Sequence, residues 1–155
     1  MKKMRVNQKL CAGCRYCEVI CSLEHSKLGE TNTKKARIHI VKDPKNGEDY
    51  PRVCRQCPDP HCVAACPQGA LSVSADTGAV IVDEARCTGC LLCAEACPFH
   101  AVQVDVETRL PLICDLCGGD PSCIKHCRVL PHVGARALNY AEPGNDNSAV
   151  KGDRY

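Results

Sequence analysis

Aromatic side chains are scarce in this 155-residue chain, which has no Trp, one Phe and four Tyr. Large aromatic groups usually supply much of the buried area in a protein core. Val, Ile, Leu and Ala must therefore build the core, and we expect a material other than side chains to fill its centre. The length allows one domain, or two very small ones that share a core.

Long apolar runs are also missing. The longest, such as AVIV at residues 79–82, are far shorter than the roughly 20 residues that span a bilayer. The N-terminal MKKMRVNQKLC lacks an apolar segment, a small-residue cleavage site and a twin-arginine pair. We therefore predict a cytoplasmic protein with no direct membrane span, in which thiols stay reduced.

Neither sign of charge dominates the chain. The formal net charge is +2, acidic residues are interspersed among the lysines, and no basic stripe carries an aromatic platform. The sequence therefore predicts no nucleic-acid partner.

Cysteine is abundant instead, with 16 residues that fall into four groups and leave none over. Such density indicates a disulfide scaffold or metal binding, and a reducing compartment favours metal. The groups are Cys11, Cys14, Cys17 and Cys21; Cys54, Cys57, Cys62 and Cys66; Cys87, Cys90, Cys93 and Cys97; and Cys114, Cys117, Cys123 and Cys127.

The spacing within the groups indicates iron–sulfur clusters. Groups one and three have the spacing C-x2-C-x2-C-x3-C of bacterial ferredoxins, and groups two and four lengthen the middle gap to x4 and x5. Three cysteines on a tight loop can bind three irons of one cubane, while the fourth, on a short helix, points to the neighbouring cluster. Gly13 and Gly89 precede the second cysteine, where they let the loop curl. Gly118 and Gly119 can serve the longer loop of group four.

Two other kinds of cysteine-rich site fit less well. Zinc modules normally join two C-x2-C pairs that lie a dozen or more residues apart. A disulfide scaffold needs an oxidising compartment and more irregular loops. We interpret His61 and His126 as hydrogen-bond donors to sulfur or as exposed residues, because each group already has four thiols.

Short strands flank the cysteine groups and predict an α+β fold. ALSV, AVIVD and AVQVDV surround groups two and three and complete a ferredoxin-like module over residues 53–106. MRVNQKL, ARIHIV, RLPLI and ALNY suggest a second module, residues 1–52 plus 107–140, split around the first. Each module would hold two clusters. Spacing alone also permits a sequential pairing of groups one with two and three with four. The polar residues 141–155 predict a disordered or partner-docking arm.

All four groups, in order over residues 6–140, resemble the four-cluster electron-transfer subunits of the dimethyl-sulfoxide-reductase B-subunit type. The resemblance implies two nested modules and four [4Fe-4S] clusters. The implied ligand sets are Cys11, Cys14, Cys17 and Cys127; Cys114, Cys117, Cys123 and Cys21; Cys54, Cys57, Cys62 and Cys97; and Cys87, Cys90, Cys93 and Cys66. CDLCGGDPSC is similar to the small iron–sulfur proteins of tungsten aldehyde oxidoreductases.

The resulting hypothesis is an electron-transfer subunit of anaerobic metabolism, with catalysis in a partner. The partners would be a larger catalytic oxidoreductase subunit and an acceptor protein or flavin subunit, and copies could also stack into a longer wire. The alternatives are a freely diffusing polyferredoxin and, less favoured, a zinc regulatory module. Group four lacks the Cys-Pro ending of groups two and three, so we expect its exit loop, residues 128–133, to form a partner surface.

Overall fold

A computed structural model describes residues 1–132 and 134–142. Most of the predicted C-terminal arm lies outside the described residues. The described part is a mixed α+β arrangement of eight short strands and four helices.

The strands form antiparallel pairs. β1 (Lys3–Val6) pairs with β8 (Leu138–Ala141), so the two ends of the described chain meet in one sheet. The other pairs follow chain order: β2 (Ile38–Asp43) with β3 (Glu48–Val53), β4 (Leu71–Val73) with β5 (Val80–Val82), and β6 (Gln103–Val104) with β7 (Pro111–Leu112). Seven of these strands overlap segments that the sequence predicts as strands.

β3 is the strand that the sequence analysis missed. The composition of the polar segment KDPKNGED suggests a linker, but the segment closes the β2–β3 hairpin, where Asp43 Oδ1 accepts a hydrogen bond from the backbone N–H of Lys45. The charged sequence EDYPRV and its proline conceal the strand, because a proline in a run argues against a paired strand. Pro51 is nevertheless buried opposite Ile40.

Each helix carries the third cysteine of its group. The helices are α1 (Tyr16–Glu24), α2 (His61–Ala64), α3 (Leu92–Glu95) and α4 (Ser122–Lys125). α2 and α3 end before Pro67 and Pro98, which cannot donate a helical hydrogen bond. α1 has no such proline, and it continues past Cys21 into a long loop that leads to β2.

The apolar core is divided into two small parts. One contains Met4, Ile38, Leu116 and Leu138, and the other is built around Leu71, Val80 and Ile113. Buried cysteines belong to both parts, and no aromatic residue is among the largest fully buried side chains of the described residues. The expectation that aromatics contribute little to the core is therefore met.

A buried carboxylate joins α1 to β2. Glu18 is only 1% exposed, and its Oε1 accepts a hydrogen bond of 2.6 Å from the backbone N–H of Ile40. Arg15 donates to the other oxygen at 2.8 Å, which neutralises the charge. Because buried polar groups are costly without partners, this arrangement holds the helix in one position on the strand.

Among the described residues, no helix combines the length and the apolar character that a bilayer span requires.

Replacing Glu18 tests this anchor. Glu18→Ala removes the acceptor of the buried Ile40 N–H, and we expect it to lower the free energy of unfolding by about 1–3 kcal/mol. Glu18→Gln is the matched control, since its amide oxygen can still accept that bond, and it should lose less. Denaturant unfolding followed by circular dichroism measures both, and equal losses would contradict the anchor role.

Candidate iron–sulfur sites

Three cavities among the described residues are each lined by four cysteines that come from two cysteine groups. Each combines three cysteines of one group with the last cysteine of another. We name them site 2 (Cys21, Cys114, Cys117, Cys123), site 3 (Cys54, Cys57, Cys62, Cys97) and site 4 (Cys66, Cys87, Cys90, Cys93).

The remaining four thiols form site 1, which contains Cys11, Cys14, Cys17 and Cys127. Burial raises the pKa of Cys17 to about 12, and the charges of Glu18, Cys11, Cys14 and Cys127 add to the rise. Cys127 therefore lies beside the first cysteine group although it comes from the far end of the described chain. The packing of α1 against α4 brings these segments together.

Neighbouring sites adjoin one another in a single order. Burial raises the pKa of the Cys123 thiol in site 2, and Cys17 of site 1 contributes. Burial raises the pKa of the Cys114 thiol in site 2, and the charge of Cys54 in site 3 contributes. Burial raises the pKa of Cys93 in site 4 to about 11, with a contribution from Cys62 of site 3. The sites thus follow one another as 1, 2, 3 and 4.

The donors present fit [4Fe-4S] clusters. Each site offers four soft thiol ligands, the number that one cubane needs. Backbone N–H groups also point at ligand sulfurs: Arg37 N lies 3.2 Å from Cys21 Sγ, and Ala70 N lies 3.3 Å from Cys66 Sγ. Such bonds tune the potential of a bound cluster. When bound, the clusters supply one-electron redox chemistry.

A small buried residue precedes the strand that follows each cysteine group, and Ala70 and Ala101 line the cavities of sites 4 and 3. Ala36, Ala70, Ala101 and Ala137 are almost fully buried, and each lies just before a strand. The sequence analysis missed them, although an alanine opens each of ARIHIV, ALSV, AVQV and ALNY. A larger side chain here would have to enter the core beside the thiols.

The binding loops curl through a left-handed residue just before the second cysteine. Gly13 and Gly89 hold φ values of 62° and 66°, as their type allows. Groups two and four place Gln56 and Leu116 there, with φ of 46° and 58°. Both are buried, so packing holds a conformation that costs a side-chain-bearing residue about 1–2 kcal/mol.

The two histidines within the cysteine groups lie near sites 3 and 1. His61 lines the site 3 cavity. His126 Nδ1 is 2.9 Å from the Ser122 carbonyl, and its exposed ring packs edge-on against Tyr16.

A third histidine, which carries no sequence motif, belongs to a charged network at site 2. His25 Nε2 lies 3.2 Å from both carboxylate oxygens of Asp115, which also accepts a 2.7 Å bond from Arg37. Burial lowers the pKa of His25, but hydrogen bonds to Asp115 and Cys21 outweigh it and raise the value to about 10. Desolvation acts to raise the pKa of Asp115, yet His25 and Arg37 hold it well below its usual range. Only the fold brings these residues together.

A cleft of about 500 Å³ lies on the outer side of this network. One wall is apolar and comes from β5 and β7, and the other is the polar loop that follows α1. His25, Arg37 and Asp115 also line this cleft.

Residues 45–133 match the family described as a 4Fe-4S dicluster domain. The chain belongs to this family. The matched segment contains cysteine groups two, three and four.

Curated relatives extend the likeness over most of the chain. The polyferredoxin-like subunit of aliphatic sulfonate oxidoreductase from Pyrococcus furiosus is 43% identical over 122 residues, which are 79% of this chain and 69% of the relative. Electron transport protein HydN of Escherichia coli is 35% identical over 143 residues, covering 76% of this chain and 78% of HydN. One subunit of tetrathionate reductase from Salmonella typhimurium is 31% identical over 134 residues, covering 80% of this chain but 53% of that protein.

A solved structure of the active-site complex BamBC of benzoyl-coenzyme A reductase, with 1,5-dienoyl-CoA, has a similar fold. One of its chains superposes with a TM-score of 0.51 at 25% identity, covering 97% of this chain and 82% of that chain. Family and relatives together confirm the prediction of an iron–sulfur electron-transfer subunit whose catalytic partner is another protein.

Gly13→Ala tests how closely the β2–β3 hairpin covers site 1. A Cβ at Gly13 would overlap the Asp49 carboxylate, whereas a Cβ at Gly47 meets nothing within 4 Å at a similar φ. We expect Gly47→Ala to cost about 1 kcal/mol of unfolding free energy, from backbone strain alone. Gly13→Ala should cost more.

Adding Asp49→Ala to Gly13→Ala should bring the cost back to that of Gly47→Ala. Denaturant midpoints of the three variants measure these differences. Equal costs for the two glycine variants would show that the hairpin does not constrain this loop.

Proposed function

We propose that the chain relays single electrons through four [4Fe-4S] clusters, between a larger catalytic oxidoreductase subunit and an acceptor protein or flavin subunit. The order of the four sites is the observation that supports this proposal most. Cys14 in site 1 and Cys90 in site 4 are exposed, whereas no cysteine of sites 2 and 3 is. Electrons can therefore enter and leave at the two end sites, while the middle two are shielded.

We also propose the nested ligand sets as the cluster ligands, with an inner module of residues 53–106 and an outer one of residues 1–52 and 107–140. The cavities support this assignment. Each contains three cysteines of one group and the last cysteine of the group with which nested pairing combines it. The β1–β8 pair gives further support, because it joins the two parts of the outer module.

Partner contact at site 1 is proposed for the surface around Cys127. Arg128, Val129 and Pro131 of the exit loop are exposed, and Val129 is an apolar residue left 41% accessible. Tyr16, 48% exposed, lies beside His126 and adds apolar surface close to Cys14. Exposed apolar groups beside a redox site are typical of a protein contact.

For the catalytic partner we propose a tungsten or molybdenum aldehyde oxidoreductase in the cytoplasm. The Pyrococcus furiosus relative, itself named as a subunit of an oxidoreductase, supports a partner of this general kind. A freely diffusing polyferredoxin is the second candidate, supported by the likeness to HydN over most of that protein. Co-purification with a larger, cofactor-bearing subunit would favour the first and exclude the second.

Iron counting in paired cysteine variants tests the clusters and their ligands. Anaerobically purified protein should contain about 16 iron atoms and 16 sulfides per chain, and near-zero iron would indicate a zinc module instead. Cys11→Ser and Cys127→Ser should each lose iron from one cluster. Their double variant should lose no more, since both residues bind the same cluster.

Cys11→Ser combined with Cys97→Ser is the matched control and should lose the sum of the two single losses. A sequential arrangement predicts a different outcome, in which the Cys11/Cys127 pair is additive as well. Electron paramagnetic resonance of the reduced proteins identifies the cluster that changes in each case.

A further inference from the structure

Three residues line both the site 2 cavity and the outer cleft. They are His25, Arg37 and Asp115, and no other residue belongs to both walls among the described residues. They therefore form a partition that is one side chain thick, with the four thiols of site 2 on one side and a solvent-accessible cleft on the other.

The partition is held by its own hydrogen bonds. Asp115 lies between ligand cysteines 114 and 117, and its Oδ1 accepts from the backbone N–H of Cys117 at 3.0 Å. The same carboxylate accepts from Arg37 and His25, and His25 Nδ1 also lies 2.8 Å from the Cys21 carbonyl. The three side chains thus connect both chain segments that supply thiols to site 2.

Arg37 lines the site 2 cavity, and its backbone is bonded to one of the thiols there. Its backbone N–H donates to Cys21 Sγ at 3.2 Å. Its Nε is buried and has no hydrogen-bond partner among the described residues, although Nη1 is bonded to Asp115. Arg37 thus lines the site 2 cavity with one buried guanidinium donor that is not used by Asp115.

We propose that Arg37 places a fixed cation at the site 2 cluster, that this charge raises the cluster's reduction potential relative to a protein without it, and that the Arg37–Asp115–His25 partition closes the site to solutes in the cleft. The inference rests on the proposed function, because it requires a cluster in site 2. A guanidinium stays charged at all ordinary pH values. A nearby cation stabilises the more negative, reduced cluster, so its presence favours reduction.

The same cleft also borders sites 3 and 4, but only through apolar residues: it shares Val80 and Ile113 with the site 3 cavity and Pro111 with the site 4 cavity. Their last cysteines accept backbone N–H groups from Ala70 and Ala101, whose side chains are uncharged. Arg37 occupies the corresponding place at site 2, after the loop that lengthens group one. Site 3 also has an arginine in its lining, Arg55, but this residue belongs to the cysteine loop and not to the cleft wall, and its guanidinium lies 5.6 Å from the centre of the Phe99 ring.

Arg37→Gln is the variant that tests the proposal, because it removes the cation but keeps the backbone N–H. Its iron content is measured first, and about 16 atoms per chain shows that the clusters are bound. If the parent protein itself contains fewer iron atoms, that result counts against the proposed function and not against the partition. Redox titration followed by electron paramagnetic resonance, at one fixed pH, then reports the potentials.

We expect Arg37→Gln to shift one of the four potentials downward and to leave the others in place. An added chelator should also remove iron equal to about one cluster, and it should do so about tenfold faster than from the parent protein. A tenfold change is the lower end of the effects on metal affinity or activity that are typical when a residue supporting a metal ligand is replaced. Arg37→Lys should restore the potential, because it restores the charge. If Arg37→Lys does not restore the potential, Arg37 acts through packing alone.

Lys27→Gln is the matched control, since Lys27 is exposed and lines the cleft but not the site 2 cavity. It makes the same charge change and should shift no potential measurably. The proposal is overturned if Arg37→Gln changes neither a potential nor iron release, or if Lys27→Gln shifts the same potential equally. If Arg37→Gln loses iron during purification, Asp115→Asn replaces it and must raise the same potential.

Discussion

Four thiols from two separated segments must converge at each site, and this requirement governs the rest of the chain. A loop can bring three cysteines together locally, but the last must come from elsewhere in the sequence. Short helices perform that step, because a cysteine at the end of one turn projects away from its own loop. The strands are correspondingly short, since their role is to return the chain to the next loop. The β1–β8 pair contributes to this convergence, because it joins the two ends of the described chain.

The scarcity of aromatic residues follows from this convergence. The two small apolar cores surround the sites, and buried cysteines are members of both. A buried alanine precedes each of the four strands that follow a cysteine group, and at sites 3 and 4 this alanine lines the cavity. A protein built in this way gains much of its folding free energy from its metal, which makes its stability inseparable from its loading.

Much of the fold could be predicted from the sequence because the cysteine pattern repeats. The helices follow from the x3 spacing, and seven strands follow from apolar runs beside the groups. β3 was missed because its charged residues and Pro51 suggest a linker. The left-handed backbone of Gln56 and Leu116 could not be predicted, because glycine marks that position in only two of the four loops.

At site 2, His25, Arg37 and Asp115 are far apart in the chain and have no motif. Their meeting depends on the path of the loop after α1.

The pairing of β1 with β8 has a consequence for synthesis on the ribosome. Cys11, Cys14 and Cys17 emerge early, whereas Cys127 and β8 follow only after most of the described chain has been made. At about 5–20 residues per second, the early thiols wait several seconds without their partner. Sites 3 and 4 contain no cysteine beyond Cys97, so they can assemble on the nascent chain. With the proposed ligand sets, a product truncated after Cys97 would contain all the thiols of sites 3 and 4 but would lack those that complete sites 1 and 2.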